Sequence, residues 1–296
     1  EIFEGKSPKT DYDKAKLIYQ YLADNVRYSS LPFRQNGYIP QKPMVTISTQ
    51  LGDCKDLSTL YHTLARKAGL NTNLVLVNTK NNGEDNMPLP TIDFDHCIIK
   101  IELEDGPLFQ ELTDSKLPFG YVPEVVRNAQ GLVIPNDEND PTGKELIQIP
   151  KWENAKNYMK RNTNVQIQEE QLTIKTELET VGQLASEYRY YFSGLTKEDL
   201  KEKVQSMTNS YFTNAVTLKD YDMTDTENCE EAYELTTSFD LEGEIISIGS
   251  MKAVKPIFFE YIYDMESFPD EEREHPLLLW LYDRGENYET EIIYEL

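Results

Sequence analysis

Three residues of this sequence have side chains suited to nucleophilic catalysis, namely Cys54, His96 and Asp114. A thiolate can attack an amide or ester carbonyl, an imidazole can take up and return a proton, and a carboxylate can orient the imidazole. Each residue alone also has an ordinary structural interpretation, as a buried thiol, a strand histidine and a turn aspartate. The elements that carry the three residues must therefore decide between the two interpretations.

Cys54 lies at the predicted first turn of a helix. Asp53 is placed to be the N-cap, and Gly69 marks the expected C-terminal end. At a helix N-terminus, unbonded N–H groups and the positive end of the helix dipole favour a thiolate. This position makes Cys54 a candidate nucleophile. Apolar residues follow it at the spacing of one buried helix face: Leu57, Leu60, Tyr61, Leu64, Ala65 and Ala68.

His96 and Asp114 flank a predicted β-hairpin. Apolar residues alternate from Ile99 to Leu103, Glu104-Asp105-Gly106 is a turn signal, and residues 108–112 form the returning strand. An antiparallel hairpin would bring His96, near the start of one strand, beside Asp114, near the end of the other. The sequence thus predicts a Cys–His–Asp triad.

In that triad Cys54 would form a thioester with the acyl group of a substrate. His96 would act first as general base and then as general acid, and Asp114 would orient its ring. The Cys54 N–H would supply one oxyanion donor, and Gln41, in the irregular stretch before the helix, would supply the second. We expect no cofactor and no metal. A zinc site made by the same three residues is a weaker alternative.

The charge is strongly negative and unevenly distributed. The 296 residues carry a formal net charge of −23. Residues 1–150 hold 15 basic and 21 acidic residues, a net of −6, whereas residues 151–296 hold 14 and 31, a net of −17. This shift predicts two domains, a catalytic core at 1–150 and an acidic β-rich domain at 151–296. The acidity argues against nucleic acid as a partner.

The second half shows strand patterns and one helix signal. Thr196 to Asp199 predicts the start of a helix that ends near Met207. We expect a β-sandwich with one helix and no catalytic group. The predicted strands lie at 165–167, 172–178, 235–241, 257–263 and 288–296.

Several protein classes are excluded by what the sequence lacks. Its longest apolar runs are too short for a membrane span. Three scattered cysteines, Cys54, Cys97 and Cys229, do not make a disulfide scaffold. Because the chain begins with Glu1, we expect a processed form or a part of a longer protein.

The motifs around the candidate residues resemble those of the transglutaminase-like superfamily. They are Gly52-Asp53-Cys54-Lys55-Asp56, Asp95-His96, Leu112-Thr113-Asp114-Ser115 and Leu117-Pro118-Phe119-Gly120. The resemblance covers about residues 10–135 and is greatest to bacterial members in which the core precedes a β-domain. It implies an α+β fold with a papain-like core, in which a central helix packs on an antiparallel sheet. It also implies Cys54, His96 and Asp114 as the triad.

The resemblance also implies a function. Members act as transglutaminases, peptidases or amidases, and some have lost activity. We therefore expect amide or peptide hydrolysis, or less readily transamidation, with a protein or peptide substrate in the periplasm or cell envelope. The alternative is an inactive binding module on the same fold.

The chain departs from the family motif at two places. Asp95 stands where the family has asparagine, and Asp114-Ser115-Lys116 stands where it has Asp-Pro-Thr. We expect the extra carboxylate of Asp95 to raise the pKa of His96.

Overall fold

The computed structural model describes residues 2–30, 37–82, 94–137, 145–151, 157–259 and 287–295. The chain divides into two compact units, Glu1–Glu153 and Asn154–Leu296. Each unit is described by itself. Two parts of the predicted strands, residues 260–263 and residue 296, lie outside the described residues.

The described residues of unit 1 form three α-helices and a five-stranded antiparallel sheet. The helices are α1 (Asp11–Asn25), α2 (Pro43–Thr49) and α3 (Cys54–Lys67). The strands are β1 (Arg27–Tyr28), β2 (Leu51–Gly52), β3 (Asn71–Asn78), β4 (His96–Leu103), β5 (Gly106–Gln110), β6 (Gln130–Val133) and β7 (Glu145–Gln148). The sheet order is β5-β4-β3-β6-β7, and β1 and β2 form a separate parallel pair.

Helix α3 begins and ends where the sequence predicts. Asp53 is its N-cap, and Asp53 and Asp56 form a capping box in which each side chain accepts a backbone N–H of the other residue. Cys54 is therefore the first residue of the helix. At the other end Gly69 has φ +84°, a left-handed conformation that suits glycine just after a helix.

The sheet of unit 1 is buried on both faces. Ile99 and Ile101 of β4 pack with Leu57 and Leu60 of α3, and α1 contributes to the same cluster. Ile98, on the opposite face of β4, packs in a second cluster with residues of β3, β5 and β6. Each fully buried residue of this size contributes about 1.5–3 kcal/mol. These results confirm the α+β fold with a central helix on an antiparallel sheet.

Across the part of unit 2 that the structure describes, there are two helices and a second five-stranded sheet. The helices are α4 (Gly182–Phe192) and α5 (Lys197–Ser210). The strands are β8 (Tyr158–Ile167), β9 (Gln171–Thr180), β10 (Val216–Met223), β11 (Tyr233–Glu242), β12 (Ile245–Ile248), β13 (Met251–Val254) and β14 (Asn287–Glu295). The sheet order is β10-β11-β9-β8-β14, and β12 and β13 form a separate hairpin.

One face of this second sheet is buried. Residues from α4 and α5 and from alternate sheet positions, such as Leu178 and Leu235, share one cluster. The opposite face carries polar side chains that are exposed or half-buried, including Asn162 and Lys175. In the described part of unit 2, α4 and α5 cover one part of the buried face, and Phe212, Ile257 and Phe259 pack on another part. The β-sandwich therefore stays a prediction.

The expectation of a single helix in the second half was wrong, because α4 precedes α5. Residues 257–259 were expected in a strand and lie outside any strand. The predicted helix from Thr196 is confirmed as α5, with a capping box between Thr196 and Asp199.

Within the described residues, no helix is long and apolar enough to cross a membrane.

Candidate functional site

The short strand β2 places the N-terminus of α3. Tyr28 of β1 pairs with Gly52 in parallel register, and the Ser29 N–H donates to the Gly52 carbonyl at 2.8 Å. A Cβ at Gly52 would lie 2.9 Å from Cβ of Asp56 and 3.0 Å from Cγ2 of Thr46. Glycine is therefore required here because the chain passes so close to the first turn of α3.

The capping box leaves one backbone donor beside the thiol. The N–H groups of Lys55 and Asp56 both donate to Oδ1 of Asp53 at 3.1 Å. The Asp53 N–H donates to Oδ2 of Asp56, also at 3.1 Å. In the part of the chain that the structure describes, the N–H of Cys54 has no acceptor. That N–H is available to an incoming oxygen, as the first residue of a helix allows.

Gln41 is held against this first turn by Asp56. Its backbone N–H donates to Oδ1 of Asp56 at 2.7 Å, and its side-chain Nε2 donates to Oδ2 at 2.9 Å. Because Asp53 N–H shares that Oδ2, the Gln41 amide lies at the start of α3. A side-chain amide has two N–H donors, and this contact uses one of them.

Cys54 and His96 meet at this point. The Cys54 thiol is among the neighbouring groups that raise the pKa of His96, and Cys54 is 4% exposed. The His96 side chain is 14% exposed. Nε2 of His96 faces a carboxylate, which leaves Nδ1 as the ring nitrogen for the sulfur.

That carboxylate belongs to Glu111. Oε2 of Glu111 lies 2.7 Å from Nε2 of His96, and the Glu111 side chain is 2% exposed. Oε1 accepts three hydrogen bonds, each 2.8 Å long, from the N–H of Leu112 and from the N–H and hydroxyl of Thr113. Both oxygens are thus bonded, which fixes the carboxylate and with it the orientation of the imidazole.

The pair shifts both pKa values strongly. Burial lowers the pKa of His96, but the Glu111 carboxylate and the contact with Cys54 outweigh burial and raise it well above 6.5. Burial raises the pKa of Glu111, but His96 and the bonds from Thr113 lower it to about 2. A charged imidazolium–carboxylate pair is therefore the resting state near neutral pH.

We expect this pair to make the stability of unit 1 depend on pH in a defined window. Because folding raises the pKa of His96, this residue contributes its full stabilisation below pH 6.5. That contribution is lost as the pH rises through the pKa of His96 in the folded state. Because folding lowers the pKa of Glu111, this residue contributes its full stabilisation above pH 4.5. That contribution is lost as the pH falls through about 2, the pKa of Glu111 in the folded state. The pair should stabilise most between pH 4.5 and 6.5.

Urea unfolding of the native chain and of Glu111→Gln, followed by circular dichroism, would measure this effect. The difference in unfolding free energy should be largest inside the window and shrink on both sides of it. A difference that is constant from pH 3 to pH 9 would show that the two groups are not coupled as described.

The sequence predicted Asp114 beside His96, and the structure places Glu111 there instead. Oδ1 of Asp114 accepts the Lys116 N–H at 2.9 Å, within a turn that also bonds the Leu117 N–H to the Asp114 carbonyl. Such side-chain bonding two residues ahead is typical of aspartate in turns.

Asp95 was expected to act on His96, but its carboxylate bonds Thr79 instead. Its carboxylate accepts the N–H and the hydroxyl of Thr79 at 2.8 and 2.5 Å. The main causes that raise the pKa of His96 are Glu111 and Cys54.

The hairpin register contains the signal that identifies Glu111. Leu103 pairs with Gly106 and Ile99 with Gln110. Continued by three residues, this register sets His96 opposite Thr113, with Glu111 two residues away on the same face. Asp114 would then point to the opposite face. The expected Asp-Pro-Thr motif has an acidic residue, then any residue, then threonine. The same order occurs at Glu111-Leu112-Thr113.

Other groups named from the sequence lie as follows. Cys97 is buried at 1% exposure and contacts Cys54, whereas Cys229 is half-buried in unit 2. Nδ1 of His62 contacts the Thr72 hydroxyl at 2.9 Å, a structural bond within unit 1. No group of three or more His, Cys, Asp or Glu side chains arranged to hold a metal ion occurs in the described ranges.

One residue that the sequence analysis missed lies beside the site. The phenol of Tyr28 is sensitive to the charges of Cys54, Glu111 and Asp53, although burial is the main cause that raises its pKa. The pairing of β1 with β2 explains this position.

Comparison with known proteins shows which family and which solved structure this chain resembles. The core model of the transglutaminase-like superfamily matches residues 2–106. A "putative protease" from Parabacteroides distasonis ATCC 8503 is similar in structure, with 9% sequence identity and a TM-score of 0.41. The similarity covers 82% of this chain and 48% of that one, so this chain spans about half the length of its structural relative. No curated protein matches the sequence.

The family match confirms the resemblance that the motifs indicated. It includes Cys54 and His96 and ends at Gly106, five residues before Glu111. What the match shows of this chain is its likeness to the transglutaminase-like core over residues 2–106.

Proposed function

We propose that unit 1 catalyses acyl transfer from an amide or peptide through a thioester on Cys54. The observation that carries this proposal is the imidazole of His96, which lies 2.7 Å from the Glu111 carboxylate and whose pKa the neighbouring Cys54 thiol helps to raise. The match of residues 2–106 to the transglutaminase-like core supports it. Nucleophile, base and orienting group are thus in contact in the order that acyl transfer needs.

The reaction proceeds in two halves. The His96 imidazolium already holds, at Nδ1, the proton given up by Cys54. The Cys54 thiolate attacks the carbonyl carbon, and the ring then gives that proton to the leaving amine. A water molecule, deprotonated by His96, attacks the resulting thioester and releases the acid. In this assignment Glu111, and not Asp114, keeps the proton on Nε2 of His96 and fixes the orientation of the ring. An amine in place of water would give transamidation.

The oxyanion would be held at the N-terminus of α3. The Cys54 N–H is the first donor. The capping box uses the N–H groups of Lys55 and Asp56, and the Cys54 N–H stays available to the oxyanion. Gln41 is retained as the second donor through the amide proton that Asp56 does not use. Its two bonds to Asp56 fix the amide beside the thiol.

The substrate class and the location are parts of the same proposal. A peptide or protein amide, hydrolysed rather than cross-linked, is the substrate that family chemistry favours. A periplasmic or envelope location follows from the bacterial resemblance alone, and fractionation of cells that produce the native protein would test it.

Alkylation with iodoacetamide at neutral pH tests the reactivity of the thiol. We expect Cys54 to be labelled faster than Cys97 and Cys229, because it lies at a helix N-terminus beside the His96 imidazolium, the surroundings typical of reactive cysteines. Burial raises the pKa of Cys97, and Cys229 lies among acidic residues. Peptide mass spectrometry over a time course would give the three rates.

His96→Ala is the matched variant for this experiment. It should slow the labelling of Cys54 and leave the labelling of Cys229 unchanged. Equal rates at all three thiols, or no effect of His96→Ala, would favour the inactive binding module.

A further inference from the structure

A second thiol lies against the proposed nucleophile. Cys54 and Cys97 are the two buried members of a small cluster, to which Leu74 and Leu76 of β3 are packed. Both cysteines are reduced and free. The acyl-transfer mechanism uses only one of them, so the contact with Cys97 needs a separate explanation.

The fold explains why the two side chains meet. Cys97, Ile99 and Ile101 alternate on β4, and the two isoleucines pack with α3. The hydroxyl of Ser58 donates to the Cys97 carbonyl at 3.1 Å. Since Ser58 is one turn after Cys54 on the same face of α3, the first turn of the helix lies over Cys97.

The two thiols have different environments. The helix N-terminus and His96 act on Cys54, whereas burial raises the pKa of Cys97 and the charge of Cys54 raises it further. Cys97 is therefore a neutral thiol at rest. An oxidant that enters the site would react with Cys54 first, because the thiolate is the form that is oxidised.

We propose that Cys97 is a resolving thiol, which captures oxidised Cys54 in an intramolecular disulfide. This proposal concerns the reactivity of the two sulfurs and does not need turnover of a substrate. It makes Cys97 a modification site in addition to a core residue.

The chemistry balances with hydrogen peroxide as the oxidant. The Cys54 thiolate attacks peroxide, the O–O bond breaks, and Cys54 becomes a sulfenic acid while hydroxide leaves. The Cys97 sulfur then attacks the sulfenic sulfur, and the leaving hydroxyl takes the Cys97 proton as water. Peroxide is reduced and two thiols are oxidised to one disulfide. A thiol reductant reverses the change.

The contact offsets the low reactivity of a buried thiol. A neutral thiol attacks slowly in solution, but fixed proximity raises the effective concentration of one group at the other by many orders of magnitude. A disulfide needs Cα atoms about 4.4–6.8 Å apart, so it requires the first turn of α3 to stay close to β4, where the Ser58 bond to the Cys97 carbonyl holds it. The disulfide would block the nucleophile and also protect it from irreversible sulfinic acid.

Treatment of the whole reduced chain with hydrogen peroxide tests the proposal. After excess peroxide is removed and free thiols are alkylated, mass spectrometry should show the loss of two hydrogens and a peptide that joins Cys54 to Cys97. Dithiothreitol should restore the alkylation of both residues. In Cys97→Ser, Cys54 should instead accumulate as sulfinic or sulfonic acid, with loss of recovery.

Cys229→Ser is the control, because it removes a thiol of unit 2 and leaves the pair intact. It should form the same linked peptide as the native chain. Circular dichroism of Cys97→Ser and Cys97→Ala would show whether each variant is folded. The linked peptide is measured in the native chain, so that result does not depend on the folding of either variant. The absence of that peptide while Cys54 is oxidised to sulfinic acid would overturn the proposal.

Discussion

Replacing Glu111 with glutamine should lower kcat for acyl transfer by roughly 10³–10⁴-fold, the loss that follows when a catalytic histidine is held in the wrong tautomer. The reason lies in the bonds to Oε1. Three donors, from Leu112 and Thr113, converge on that oxygen, so the glutamine oxygen must occupy its place. The amide nitrogen is then forced against His96.

An amide N–H that faces Nε2 makes that ring nitrogen an acceptor. The ring proton moves to Nδ1, where it faces Cys54, and His96 can no longer accept the thiol proton. The loss of the carboxylate charge should also lower the pKa of His96 from its raised value. Release of nitrophenolate from p-nitrophenyl acetate would measure the rate, and NMR titration of His96 would measure the pKa.

Asp114→Asn is the matched control for this variant. It changes one carboxylate to an amide three residues away, and the oxygen of the new amide can still accept the Lys116 N–H, as Oδ1 of Asp114 does. We expect a rate close to that of the native chain. If Asp114→Asn loses activity and Glu111→Gln keeps it, Asp114 is the orienting group after all.

Replacing Cys54 with alanine should remove acyl-enzyme formation and lower the rate by 10³-fold or more, on the order of the losses seen when a catalytic nucleophile is deleted. With p-nitrophenyl acetate, the native thiol should release a burst of nitrophenolate and gain one acetyl group. The variant should show neither the burst nor the acetyl adduct in its intact mass.

Cys229→Ala serves as the control, since it removes a thiol that lies in the other unit. It should keep both the burst and the adduct. A Cys54→Ala protein that still forms a covalent acetyl adduct at the native rate would place the nucleophile elsewhere. A native chain that never forms the adduct, despite rapid alkylation of Cys54, would favour a binding role.

Much of the nucleophile's position could be predicted because its determinants are local. The N-cap at Asp53, the apolar face of α3 and the glycine after its end are all set by residues within one helix. The hairpin turn at residues 104–106 is equally local, and the structure confirms it. Cys54 and His96 were found in this way.

The position of Glu111 against His96 was missed because it depends on the register of the hairpin. Asp114 and Glu111 differ by three residues, and an odd shift along a strand moves a side chain to the other face. Glycine at residue 106 fixes the pairing of Leu103 with Gly106, from which the facing residues follow. Extending that register by a few residues would have favoured Glu111 over Asp114.

The second half was predicted less completely for a different reason. Strands such as β9 and β11 alternate clearly and were found, since one face of their sheet is buried. Helix α4 lacks a side-chain N-cap and was missed. Its buried face is defined by packing against the sheet, which its own sequence does not signal.

The pairing of β14 with β8 has a consequence for the order of folding. Ile167 meets Leu172 across a tight hairpin, whereas Tyr158 pairs with Asn287, far along the chain. Closing the longer loop costs on the order of 3 kcal/mol more conformational entropy than closing the hairpin. Strand β14 should therefore join late, and until then β8 presents an open edge to which another chain could add.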